Sequence, residues 1–121
     1  MSINSRRKGA NGELELVKEL KKYGYDAKRP AQYQGNTGDC ADVTGLQGIH
    51  IECKRVEQLR LKEWMEQAIH DAQAEGKGNL PAVFHRKNRD RWYVTMCLDD
   101  WLTIYATSDV SDKDELDWWG E

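Results

Sequence analysis

Residues 49–55 read IHIECKR, with a carboxylate at Glu52 and an ammonium at Lys54. Apolar or thiol side chains at Ile49, Ile51 and Cys53 alternate with His50, Glu52 and Lys54, the period of a β-strand with one face toward a core. Glu52 and Lys54 then share the polar face, with Cα atoms about 6–7 Å apart. Asp42 stands ten residues before Glu52, in ADVTGL, among residues whose character suggests partial burial. If the two segments form a simple hairpin, Asp42 and Glu52 meet across it, since both flank the same short turn. Two carboxylates held together repel unless a cation joins them. Mg²⁺ suits that gap, because it takes oxygen ligands and keeps several waters, and Mn²⁺ is the alternative ion. Glu13 lies three and four residues before Leu16 and Val17, on the apolar face of a first helix, and enters as a third carboxylate. Lys54, beside the ion, can hold a water or help to deprotonate it for attack on a phosphate. Each residue also has an ordinary reading. Glu13 can serve the helix dipole, Glu52 and Lys54 can form a solvated pair, and Asp42 can belong to a turn.

The elements that would position these residues follow from periodicity and breakers. A helix is expected from about Ala10 to Tyr23, ending at Gly24, with Leu16, Val17 and Leu20 as its apolar stripe. Tyr25 to Arg29 reads as a strand, followed by a loop from Pro30 to Gly38. Ala41 to Leu46 and Ile49 to Arg55 read as a hairpin around Gln47-Gly48. A second helix is expected from Leu61 to Glu75, with Leu61, Met65, Ala68 and Ala72 inward. Strands at Ala82 to Arg86 and Trp92 to Cys97 follow, and then a short helix capped by Asp99 and reaching Tyr105. Trp64, Trp92 and Trp101 read as core residues. The order αβββαββα implies an α/β fold, a mixed sheet flanked by helices.

Glu13, Asp42 and the triplet Glu52-Cys53-Lys54, in this order, resemble the signature of the PD-(D/E)xK nuclease superfamily, and within it the archaeal-type Holliday junction resolvases. The basic helix RRKGANGELELVKEL, the gap to ADVTGL, and IHIECKR followed by a helix match that layout over about Ser5 to Cys97. The resemblance implies a restriction-endonuclease-like core and a metal-dependent endonuclease acting on branched DNA in recombination. Asp42 and Glu52 would ligate the metal, Glu13 would complete or support its shell, and Lys54 would position the water. Gln67 matches by place a glutamine that often joins such sites. Ala41 stands where the family name has proline, and Asp39 in GDCAD is a second candidate for the ligand next to it. The resemblance further implies a homodimer with two sites for paired cuts. A nickase or restriction-like enzyme of the same fold, and a silent DNA-binding module, are the competing readings. An intact acid-acid-E-x-K set argues against the last, because its carboxylates would repel without a metal.

The net charge of −3 averages two unlike regions. Met1 to Leu98 carries 17 Lys and Arg against 13 Asp and Glu, whereas Asp99 to Glu121 carries one Lys against eight acids. Residues 1–107 are read as the nuclease domain and 108–121 as an acidic C-terminal tail. The candidate phosphate contacts are Arg6, Arg7, Lys8, Arg29, Arg55, Arg86, Lys87 and Arg89, the last three in HRKNRDRW, which reads as a protruding hairpin. The ordinary reading of each cluster is solvated surface. Cys40, Cys53 and Cys97 are odd in number and dispersed, with no CxxC pair, so the expectation is a reducing cytoplasm rather than a disulfide or zinc framework. No apolar run approaches membrane length, and the basic N-terminus lacks the apolar segment of a secretory signal.

Overall fold

A computed structural model describes residues 3–30 and 40–111, with side chains from Gly9 onward. Helix α1 spans Ile3–Lys22, strand β1 Ile49–Arg55, helix α2 Leu61–Glu75, strand β2 Leu80–Arg86, strand β3 Tyr93–Met96 and helix α3 Leu98–Ala106. The strands form one sheet in the order β1-β2-β3. β1 and β2 run parallel, which requires a crossover, and α2 supplies it. β2 and β3 are an antiparallel hairpin.

Both faces of β1 and β2 are covered, as is usual for parallel strands. On one face, Leu16, Val17 and Leu20 of α1 pack with Val43, Ile51, Cys53, Ala82 and Phe84. On the other, Trp64 and Ala68 of α2 pack with Val83. The register explains the division, since Ile51 pairs with Ala82 and Cys53 with Phe84, whereas Glu52 pairs with Val83 and Lys54 with His85. His50, Glu52 and Lys54 therefore lie under α2, not toward open solvent.

α1 ends where expected, with Gly24 at φ 95 and the Tyr25 N–H bonded to Leu20 O. It begins seven residues before Ala10, because the polar turns ahead of the apolar stripe are helical too. Two expected strands shrink to single bridges. Lys28 pairs with Thr44, and Val43 with Ile51. Gly45 limits the ladder between residues 25–29 and 41–46. Its φ of +130 and its approach to Ala27, where a Cβ would fall 2.7 Å from the Ala27 Cα, turn the backbone out of extended geometry. The regular elements thus run αβαββα rather than αβββαββα.

Three smaller expectations also change. Leu61 is exposed, and α2 instead buries Trp64, Ala68, Asp71 and Ala72. Cys97, not Asp99, is the N-cap residue of α3, and Asp99 instead accepts the N–H of Asp100. Trp101 is 48% exposed and stacks on Tyr105 rather than entering the core, since α3 buries no residue.

Candidate active site

Asp42 and Glu52 meet as the hairpin reading expects, although only one bridge forms. The Asp42 N–H donates to Ile51 O at 2.9 Å, and the Val43–Ile51 bridge sets Asp42 opposite Glu52. Asp42 Oδ2 also accepts the Cys53 N–H at 2.9 Å. Burial, and then the charge of Glu52, push the Asp42 carboxyl up to about 7. Its neighbour Cys53 is held as a thiol, pushed up by burial and by Asp42.

Glu13 reaches the same region from α1. Gly12 makes this approach feasible, because a Cβ there would collide with the Cβ of Arg55. Burial raises the Glu13 carboxyl, Asp42 adds to the rise, and Arg29 opposes it through a 2.7 Å bond from Nε to Oε1. Lys54 Nζ donates to Gln67 Oε1 at 3.1 Å, so the residue matched by place on α2 does join the lysine. Glu13, Asp42, Glu52, Lys54 and Gln67 are therefore brought to one region, with Asp42 and Glu52 in contact at its centre.

Sequence reasoning missed what lies behind Glu52. His50 is fully buried, with Nε2 3.0 Å from Glu52 Oε1 and Nδ1 3.0 Å from Glu75 Oε1. Burial works against a charged imidazole here, but bonds to the two carboxylates outweigh it and raise its pKa. Asp71, 7% exposed, brings a ligand atom within 4.8 Å of those of His50 and Glu52. The spacing of His50 and Glu52 was a legible signal, two residues apart on one strand face. Glu75, 25 residues along the chain, left none.

The candidate phosphate contacts divide. Arg55 Nε and Arg86 Nη1 both donate to Glu15 Oε1 at 2.9 Å, and Arg86 Nε donates to Asp90 O. These two guanidiniums tie α1 to the ends of β1 and β2, each engaged by Glu15. Arg29 is engaged by Glu13, with its side chain one-third exposed. Lys87 and Arg89 are exposed on the β2–β3 turn, where Arg89 takes a φ of 60. Arg6, Arg7 and Lys8 lie on the backbone of α1, but their side chains, like residues 31–39 with Asp39, fall outside the described residues, as does 112–121.

A mixed sheet between two helices, with paired acids and an E-x-K strand at its edge, is the architecture of a restriction-endonuclease-like nuclease. The family model described as "Phage putative PDDEXK endonuclease" matches residues 4–115, and the chain belongs to this family of nucleases. A solved structure of the Holliday junction resolvase Hjc from Archaeoglobus fulgidus, an archaeal hyperthermophile, is similar at 27% identity. The match covers 73% of this chain and 76% of that one, with a TM-score of 0.55. No curated protein matches the chain.

Proposed function

We propose that this protein is a divalent-metal-dependent endodeoxyribonuclease that cuts branched DNA, four-way junctions above all, as a homodimer. The observation that carries the metal-dependent reading is the contact between Asp42, partly buried, and Glu52, fully buried, two carboxylates opposed on neighbouring segments. Asp42 and Glu52 themselves offer oxygen donors, which fits Mg²⁺ or Mn²⁺. Asp42 and Glu52 would hold the ion and Glu13, tied to Arg29, would support the site from α1. When bound, such an ion neutralises phosphate charge and makes a coordinated water more acidic.

The chain's own groups supply the rest. Lys54, fixed by Gln67, presents an ammonium beside Glu52 that can orient a water and stabilise charge building on the phosphoryl oxygens. Cys53 contributes its backbone N–H to Asp42 Oδ2, which fixes that oxygen. Lys87 and Arg89, exposed on the β2–β3 turn, would contact the phosphate backbone. We assign the nuclease domain to residues 1–107 and treat 108–121 as an acidic tail. The named resolvase similarity supports junction DNA as substrate.

The test is incubation with linear, nicked, flapped and four-way DNA, with and without Mg²⁺, beside the Glu52→Ala variant. Cleavage of the four-way substrate, dependent on Mg²⁺ and lost in Glu52→Ala, is the expected result. A Glu52→Ala protein that cuts at a comparable rate removes the metal assignment. Binding without cleavage of any substrate would leave a silent DNA-binding module.

A further inference from the structure

Two carboxylates in contact drive each other apart unless each is held from behind. Asp42 is held by the Cys53 N–H. Glu52, only 2% exposed, is held by His50, whose ring is in turn anchored by Glu75 at the C-terminal end of α2. Carboxylate oxygens can only accept, and both ring nitrogens face one, so a single imidazole spans from α2 to the strand acid. Its two ring nitrogens lie 3.0 Å from Glu52 Oε1 and 3.0 Å from Glu75 Oε1, so the ring is fixed along the line between them. In the buried His50, Glu52 and Asp71 group, His50 thus holds Glu52 from behind. Glu75 is also reachable without opening the core. It lines a surface cleft with Asp26, Gly48 and Asn79, and its second oxygen lies 3.8 Å from Lys77 Nζ.

We propose that Glu75 and His50 are positioning residues for metal binding: Glu75 fixes the imidazole, and the imidazole fixes the Glu52 carboxylate toward Asp42. This rests on the reading of Asp42 and Glu52 as the metal ligands. Partners that orient a ligand from behind change metal affinity by about 10–100-fold when removed. Neither residue touches DNA in this scheme, so loss of Glu75 raises the metal requirement without changing the affinity for DNA.

The experiment measures Mn²⁺ binding to the full chain without DNA, counting free ion by electron paramagnetic resonance. In parallel, cleavage is titrated with Mn²⁺ at saturating DNA. Glu75→Ala is expected to weaken Mn²⁺ binding by about tenfold or more and to shift the cleavage midpoint alike, with KM for DNA unmoved. Glu75→Gln, which keeps an acceptor for the Nδ1 proton, is expected to recover most of the loss. His50→Ala leaves a cavity beneath a buried acid and can fail to fold, so the Glu75 pair decides the matter. Wild-type Mn²⁺ binding by Glu75→Ala, while Glu52→Ala binds none, would overturn the proposal and leave the ligand assignment standing. Equal loss in Glu75→Ala and Glu75→Gln would mark a general effect on the helix end and also overturn it. Undiminished binding by Glu52→Ala would instead remove the ligand assignment itself, and the proposal with it.

Discussion

Asp42 carries a pH signature. Its carboxyl in the folded protein, pushed up to about 7, lies above the ordinary value of 3.8, so folding favours its protonated form. The stability this group contributes is complete below about pH 4 and is lost as pH rises through about 7. Metal-free protein is therefore expected to melt at a lower temperature at pH 8 than at pH 5.5, and Mg²⁺ at pH 8 to restore much of the difference. Asp42→Asn should flatten that profile in EDTA and abolish the response to Mg²⁺, and thermal melts across this grid check both. A profile equally steep in the variant would assign the effect to another group. Lys54 answers to a different measurement. Lys54→Ala is expected to lower kcat at saturating DNA by about 10²–10⁴-fold, the range of a positioned proton-handling group, with affinity nearly kept. A change in affinity alone would make it another surface cation. The meeting of Asp42 with Glu52 was legible because both flank one short turn. The Glu75–His50 link was not, because it depends on how the crossover helix lies on the sheet, and no local pattern records that.

Among the elements, α1 has two tasks that the sequence did not separate. Its apolar stripe packs on the sheet as read, but Glu15 also gathers Arg55 and Arg86 at the ends of two strands. Arginines in a basic cluster look alike in sequence, and only the fold shows which ones have an acid in front of them. The consequence is a separation of phenotypes. Glu15→Ala should destabilise the fold by about 1–2 kcal/mol, a charge-assisted network with one member half-exposed, as read from denaturant midpoints. Lys87→Ala and Arg89→Ala should leave those midpoints unchanged, weaken DNA binding, and each reduce the slope of log K against log salt by about 1. A salt slope unaltered in both turn variants would move the DNA surface elsewhere. The expected strands at 25–29 and 41–46 show the other limit of sequence reading. Their composition is that of strands, but Gly45 at φ +130 and its close approach to Ala27 leave room for one bridge at each pairing. One rung is enough, since it sets Asp42 opposite Glu52.

For the molecule as a whole, α3 raises a question of cover. Leu98, Trp101, Leu102 and Ile104 are 72%, 48%, 47% and 39% exposed, and the helix buries no residue. Nine residues are too few for a helix to hold itself in water, so its stability must come from packing of its apolar face. The edge strand β3 leaves Tyr93 and Val94 about half exposed as well. Apolar side chains exposed on this scale offer a surface that a second molecule can cover. A second copy of the chain fits the chemistry proposed above, because a four-way junction offers two symmetric strands and each chain carries one Asp42–Glu52 site. A two-fold dimer would present two such sites in matching orientation, whereas a monomer would have to release the junction between cuts. The protein is therefore expected to sediment as a dimer at micromolar concentration, and Trp101→Glu with Leu102→Glu to sediment as a monomer. That variant should still nick junction DNA at one strand, because the residues of the site lie in α1, β1, α2 and the segment before β1, but it should lose the paired cut. Linear and branched DNA cut alike by a wild-type monomer would reject junction resolution and leave a nuclease of the same fold with a different substrate.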